Sequence, residues 1–139
     1  MIKIPVKISI LLITCILLAS IGSIQSISGL DSKQITEKFV TAEEHMLHGE
    51  YNQAVEIFDD MLEISPSNIK LLNLKGVAQS NLGYHKQSMI QFYNVLEIDP
   101  DNLTALAGMG VGFANFGEYI EAKKYFEKAL EYNLSLIHI

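Results

Sequence analysis

Two histidines, His45 and His48, are the residues of this chain whose type and spacing come nearest to a metal site. On a helix, positions three apart share a face, so both imidazoles could bind one metal ion with Glu44 nearby. Two histidines are too few to hold a metal ion without further ligands. The only cysteine, Cys15, lies in a separate apolar run. We therefore predict no metal site.

A glycine-rich segment, Gly108–Gly112, has the composition of a phosphate-binding loop. Nucleotide-binding fingerprints of this kind follow a strand and open a helix. Here the glycines fall inside a predicted helix, so Gly110 is interpreted as a site of close helix packing. Gly108 and Gly112 are expected to weaken that helix by up to about 1 kcal/mol each relative to alanine. No cofactor is predicted.

No serine, cysteine or histidine stands in a catalytic pattern, and the acidic residues are scattered along predicted helix surfaces. For charges such as Glu56, Asp59, Asp60 and Glu63, a solvated helix face is the ordinary explanation. We therefore predict a binding protein and not an enzyme. Asn102-Leu103-Thr104 is a glycosylation sequon, which matters only in a source that glycosylates exported proteins.

The elements that position these residues repeat every 34 residues. One glycine and one phenylalanine recur at that step in each copy: Gly49, Gly83 and Gly117, and Phe58, Phe92 and Phe126. A period of this length is typical of stacked helical hairpins, none of which can bury its apolar face alone. Such a stack predicts a surface that holds a partner and not a pocket that transforms a substrate.

Each copy is predicted to contain a helix A, a tight turn, a helix B and a short loop. The recurring glycine ends helix A, because glycine adopts the left-handed conformation without a side-chain clash. Pro66 and Pro100 follow the B helices because proline cannot continue a helix. Asn68 and Asn102 then suit the start of the next helix.

The predicted core positions lie on one face of each helix. On the B helices a trio at spacings of four and three recurs, and on the A helices a small residue recurs where the two helices approach closely. These positions, with the turn glycines, are Ala42, Gly49, Ala54, Phe58, Met61, Gly76, Gly83, Ser88, Phe92, Val95, Gly110, Gly117, Ala122, Phe126 and Ala129.

This pattern resembles the tetratricopeptide repeat, whose motif has Leu-Gly, Tyr, a second Gly, Tyr, Ala, Phe, Ala and Pro at fixed positions. The third copy shows the resemblance best, with Gly110, Phe113, Gly117, Tyr119, Ala122, Phe126 and Ala129. Lys38, Leu72 and Leu106 stand where the family often has tryptophan. The resemblance implies an all-α, right-handed α-solenoid with repeats at 35–68, 69–102 and 103–133, preceded by an N-terminal hydrophobic helix.

The resemblance also implies a concave groove, lined by the A helices, that binds another protein or a peptide. The implied lining is Phe39, Glu43, Met46 and Leu47, then Lys70, Asn73, Val77, Ser80 and Asn81, then Thr104, Ala107, Val111, Ala114 and Asn115. The asparagines would hydrogen-bond an extended peptide, and the Phe39 end would hold an apolar side chain.

One subgroup of the family grips a C-terminal carboxylate with a clamp of lysine and asparagine. This chain has Phe39 and Glu43 at the first two clamp positions, and Thr104 and Gly108 at the later basic ones. We therefore predict no carboxylate clamp and no binding of chaperone tails.

The charge of the repeats argues against nucleic acid as the partner. The chain has 10 basic and 16 acidic residues, and its basic residues are all lysines. Lys3 and Lys7 precede the repeats, so the part after Leu30 carries a net charge of about −8. An acidic surface without arginine is a poor match for a phosphate backbone.

The N-terminal segment has the order of an export signal: Lys3 and Lys7, an apolar run, then small residues. Cleavage is expected after Ser20-Ile21-Gly22 or Ser26-Ile27-Ser28, and an uncleaved anchor through residues 8–30 is the alternative. Both alternatives place the repeats outside the cytoplasm, because the lysines favour a cytoplasmic N-terminus. A buried core helix is a third interpretation.

The last six residues, Leu134–Ile139, match a translation of the transposon end used in sequencing libraries, at the point where the repeat pattern breaks. We therefore expect residues 134–139 to be adapter sequence and the natural protein to continue. Two alternatives to a binding scaffold stay open: a docking or regulatory arm of a larger enzyme, and assembly of an envelope complex through the convex side.

Overall fold

The computed structural model describes the backbone of residues 32–137 and the side chains of residues 32–132. The predicted signal or anchor at 1–30, with its hydrophobic helix, lies outside the described residues. Within them the chain is wholly helical, and the residues from Glu37 onward belong to one compact unit. The helices are α1 (Ser32–Leu47), α2 (Tyr51–Ile64), α3 (Ile69–Asn81), α4 (His85–Ile98), α5 (Leu103–Asn115) and α6 (Tyr119–Ile137).

These helices follow the predicted order of A and B elements, with α1, α3 and α5 as the A helices. Helices adjacent in the chain pack on each other from α2 to α6, and α3 also contacts α5. The last helix continues to Ile137, past the repeat end predicted at residue 133. No helix within residues 32–137 is both long and apolar enough to cross a membrane.

Each A helix ends at a glycine in the left-handed region, with φ of 74° at Gly49 and 79° at both Gly83 and Gly117. At the first turn, the backbone N–H of Glu50 donates to the carbonyl of His45 at 2.8 Å and that of Gly49 to Met46 at 3.2 Å. This pair of bonds satisfies carbonyls that the helix end would otherwise leave free. These glycines, predicted among the core positions, are exposed and serve the turn.

Two asparagines begin the second and third A helices as predicted. The Asn68 side chain accepts a hydrogen bond from the backbone N–H of Leu71 at 3.2 Å, and Asn102 accepts one from Ala105 at 3.1 Å. An N-cap of this kind typically stabilises a helix by about 1 kcal/mol, because it satisfies a donor that has no partner within the helix.

The buried side chains form two clusters, one between each pair of successive repeats. The first contains Ala42, Ala54, Phe58, Met61 and Leu71. The second contains Leu72, Phe92, Val95, Ala105 and Met109. Since each cluster draws on helices of two repeats, neither hairpin could bury its apolar face alone.

The glycines of α5 are sites of close approach and not merely weak points of the helix. A Cβ added at Gly108 would clash with the Phe92 ring, and one added at Gly112 would clash with Met89. A Cβ at Gly110 would lie 2.7 Å from the Phe126 ring. The interpretation that Gly108 and Gly112 only soften the helix was therefore incomplete, because both make room for α4.

Phe126 departs from the predicted core. The equivalent Phe58 and Phe92 are 0% and 2% exposed, whereas Phe126 is 38% exposed. Phe58 and Phe92 are each covered by the next A helix. Among the described residues, no helix lies over the corresponding side of α6, so Phe126 packs against Gly110 of its own repeat only.

Candidate functional site

An apolar cavity of about 310 Å³ lies between the first two A helices. Glu43, Met46 and Leu47 of α1 line one side, and Leu74 of α3 lines the other. Met46 and Leu74 also pack against the first core cluster, which fixes the floor of the cavity. Leu47 is 84% exposed, so an apolar side chain already stands at the rim. We call these four residues the A-helix cavity.

One end of the cavity carries a small electrostatic cluster. The Lys70 ammonium lies 4.0 Å from the centre of the Phe39 ring and 3.5 Å from the Glu43 carboxylate. A lysine over an exposed aromatic ring contributes about 0.5–1 kcal/mol. The three side chains, all predicted to line the groove, therefore meet at one place and join α1 to the first turn of α3.

The other predicted groove residues do not join this cavity. Val77 faces the second core cluster. Thr104 and Val111 are exposed on α5, a repeat away from the cavity lining. They remain accessible parts of the A-helix surface, but the cavity is built by α1 and α3.

The predicted role of the asparagines needs correction at the level of geometry. The amide nitrogens of Asn81 and Asn115 each donate to a carbonyl of their own helix, Val77 and Val111, at 2.9 Å. One N–H of each amide is thus used within the protein. What faces solvent for an extended peptide is chiefly the acceptor oxygen and the second N–H.

Asn73 links two repeats instead of lining the groove. Its amide donates to the Asn102 side chain at 3.0 Å, and the Asn102 amide donates to the Asp99 carboxylate at 3.0 Å. This chain of hydrogen bonds fixes the start of α5 against α3. It also engages the sequon asparagine, whose nitrogen would have to leave Asp99 to be modified.

The two histidines are used at the first turn. The Nδ1 of His45 lies 2.5 Å from a Glu50 carboxylate oxygen, and the Nδ1 of His48 lies 2.8 Å from the Glu44 carbonyl. Among the described side chains no group of three potential metal ligands comes together. The geometry supports a turn tied to α1 by the Glu50 carboxylate.

Two phenols on the B helices have perturbed acidity. A hydrogen bond to Glu97 raises the pKa of Tyr93, and a hydrogen bond to Asp101 raises the pKa of Tyr132. In both cases the carboxylate favours the neutral phenol that donates to it. Neither group lies at the A-helix cavity, so these bonds serve the packing of repeats and not the candidate site.

Sequence reasoning missed the importance of Leu74 for the site. It stands in the register of Gly108, a position that was not assigned to the groove. The available signal was the difference between copies: a large residue in α3 and a glycine in α5 at the same step. That difference turns the first inter-repeat junction into a lined cavity, while the second is closed by Phe92.

The comparisons with known proteins agree with this architecture. A family model described as tetratricopeptide repeat matches residues 69–102 and 111–135. No curated protein sequence matches the chain significantly.

Solved structures of the same fold include MamA, at a TM-score of 0.70 and 19% identity over 79% of this chain and 64% of that one. The TPR domain of Sgt2 from Aspergillus fumigatus gives 0.66 and 23%, over 70% and 65% of the two chains.

PcrH, solved in complex with the chaperone binding region of PopB, gives 0.68 and 15%, over 73% of this chain and 82% of that chain. A further MamA structure, MSR-1, gives 0.67 and 24% over 73% of this chain, and the match spans 58% of the MamA chain. The repeat matches, the left-handed turn glycines and the shared fold lead to one conclusion: the chain is a tetratricopeptide repeat protein.

Proposed function

We propose that this protein is a binding scaffold that holds a segment of a partner protein on the solvent-facing side of its A helices. The observation that carries the proposal is the A-helix cavity, which offers an apolar recess beside the Lys70–Glu43 pair. Its walls are set by the packed helices, so little ordering is lost when a ligand enters. An apolar anchor in the cavity, flanked by polar groups, is the ligand that this chemistry fits.

The neighbours in fold support a binding role. PcrH was solved with the chaperone binding region of PopB, so a protein of this fold accommodates a segment of another protein. Nothing in the cavity or its surroundings arranges a nucleophile, a base and an oxyanion donor among the described residues, so recognition accounts for the site better than catalysis.

A displayed library of random peptides tests the proposal, because the selection works without the natural partner in hand. Peptides selected on the full chain are expected to carry a large apolar residue. Their binding should fall at least about tenfold with Leu47→Asp, since a carboxylate at the rim opposes apolar burial. Leu47 is exposed, so the variant should melt with the wild type.

The matched control is Leu130→Asp, the same change at an exposed leucine of α6. It should leave these peptides bound. Selected peptides that are indifferent to Leu47→Asp and to Leu74→Ala would argue against the A-helix cavity as the binding site.

We further propose that residues 1–30 deliver the repeats outside the cytoplasm, as a cleaved signal or as an anchor. The support is the order of Lys3, Lys7 and the apolar run that follows. Expression of the full chain with a C-terminal tag separates the two forms: the tagged product is shortened by cleavage, or keeps its length and sediments with membranes. A full-length product in the cytosolic fraction would contradict both.

A further inference from the structure

The outward side of α6 is an apolar surface at the end of the stack. We call it the end face and define it by Lys123, Phe126, Glu127 and Leu130. Phe126 and Leu130 are 38% and 58% exposed, and the other two are exposed as well. The repeat places equivalent residues on α2 and α4, and both of those faces are covered within the chain. The chain therefore carries two occupied versions of this surface.

The first occupied version lies between α2 and α3. Phe58 packs in one cluster with Leu71, and Leu74 packs against the same cluster. Beside them the Lys75 ammonium of α3 lies 2.5 Å from the Asp59 carboxylate of α2. This face is thus contacted by two apolar residues one turn apart and a lysine next to them.

The second occupied version lies between α4 and α5. Phe92 packs with Ala105 and Met109, and Gly108 makes room for its ring. Tyr93 occupies the register of Asp59, and Met109 occupies that of Lys75. Where the B helix lacks the acid, the covering helix lacks the lysine.

The end face belongs to the first type, because Glu127 stands in the register of Asp59 and Phe126 in that of Phe58. Leu130 likewise repeats Leu62, which packs at both occupied junctions. Glu127 now meets only Lys123 of its own helix, at 3.5 Å on an exposed surface. Such a pair contributes little and leaves the carboxylate available to a cation from outside.

We propose that the end face binds a helix of a partner protein whose contact side resembles α3. That helix presents apolar residues in the registers of Leu71 and Leu74, a lysine in that of Lys75 and a small residue in that of Ala78. The lysine pairs with Glu127, as Lys75 pairs with Asp59. The apolar residues cover Phe126 and Leu130, which removes the exposed patch at the end of the stack.

A second copy of this chain is a poorer occupant. Its first helix carries Glu37, Thr41 and Glu44 in the registers of Leu71, Lys75 and Ala78. Docked in the same way, it would place a carboxylate against Phe126 and no cation opposite Glu127. The other A helices, α3 and α5, are already packed inside the stack.

The test uses a fluorescein-labelled synthetic peptide of residues 69–98, which carries the contact side of α3, titrated with the full chain. Fluorescence anisotropy is expected to show saturable binding. Glu127→Lys should weaken it at least about tenfold, in line with the coupling of close charge pairs across interfaces. A Lys75→Glu peptide should bind the Glu127→Lys chain and restore most of the loss.

The control is Glu131→Lys, the same change of charge one turn further along α6, which should leave the affinity unchanged. Circular dichroism verifies that each variant melts with the wild type. Binding that never saturates, or equal binding by the Glu127→Lys and Glu131→Lys chains, would overturn the proposal. So would sedimentation showing a wild-type dimer that Leu130→Asp dissociates, because a second copy would then occupy the face.

Discussion

The two junctions between repeats solve one packing problem in different ways. At the α2–α3 junction, large residues on the A helix, Leu71 and Leu74, meet Phe58. At the α4–α5 junction, the A helix supplies Ala105 and Gly108, and the Phe92 ring fills the space. Both phenylalanines are almost fully buried.

The difference teaches that the repeat fixes the position of the contact and leaves the division of volume to each pair of helices. Cores tolerate such exchanges when the total volume is kept. The functional consequence is local, since Leu74 both fills the first junction and lines the A-helix cavity.

The largest expected effect comes from removing the phenylalanine at each junction. Phe58→Ala and Phe92→Ala should each lower the free energy of unfolding by about 3–5 kcal/mol, because each leaves a cavity. Phe126→Ala should cost only about 1–2 kcal/mol, because part of its ring is already in water. Urea unfolding of the three variants measures the order. Equal losses at all three positions would mean that the end face is covered in solution.

The second effect tests the glycine side of the comparison. Alanine normally favours a helix over glycine by about 1 kcal/mol. At Gly108 the new methyl group would meet the Phe92 ring, so Gly108→Ala should destabilise the protein by about 1–3 kcal/mol despite that gain. Thr104→Ala, on the exposed side of the same helix, should stay within about 0.5 kcal/mol of the wild type. A Gly108→Ala protein more stable than the wild type would show that the close approach is not limiting.

These variants also mark what the sequence could foretell. The left-handed turns at Gly49, Gly83 and Gly117, and the N-cap at Asn68, follow from local chemistry, so their residue types sufficed. The tetratricopeptide family was confirmed because three phased copies leave few alternatives. The close packing of Gly108 depends on a ring in a neighbouring hairpin, and a repeat pattern alone does not say which partner meets which glycine.

The candidate site was harder to predict for the same reason. Phe39, Glu43 and Lys70 were assigned to the groove one by one, but their meeting depends on how α3 is set against α1. Asn73 was assigned to the groove by its register, whereas its contact with Asn102 is a tertiary one. The A-helix surface as a binding site for a partner remains a prediction.

A third, smaller effect concerns the charged pair present at only one junction. Lys75 is 16% exposed and Asp59 is 53% exposed, so their 2.5 Å contact is partly screened by water. A double-mutant cycle of Lys75→Met and Asp59→Asn should give a coupling of about 0.5–1 kcal/mol. The coupling should shrink in 1 M salt, where the Debye length is about 3 Å. No coupling at low salt would make the two junctions equivalent in their electrostatics and would weaken the use of Glu127 as a recognition feature.

The smallest effect distinguishes the third repeat from the second. Tyr132 of α6 hydrogen-bonds Asp101, whereas the corresponding residues one repeat earlier, Ile98 and Ser67, cannot form such a bond. The bond raises the phenol pKa above its usual 10.0. Because the pKa is raised in the folded state, the contribution to stability is complete below the unfolded pKa and is lost as the pH rises through the folded one.

Asp101→Asn should therefore move the Tyr132 titration back towards its usual value and leave the alkaline unfolding of the chain slightly earlier. NMR of the phenol carbon, assigned with Tyr132→Phe, follows this one group among the six tyrosines. A Tyr132 titration unmoved by Asp101→Asn would mean that α6 is not tied to the loop before α5. The third hairpin would then be held to the second by its apolar contacts alone, as the second is held to the first apart from Lys75 and Asp59.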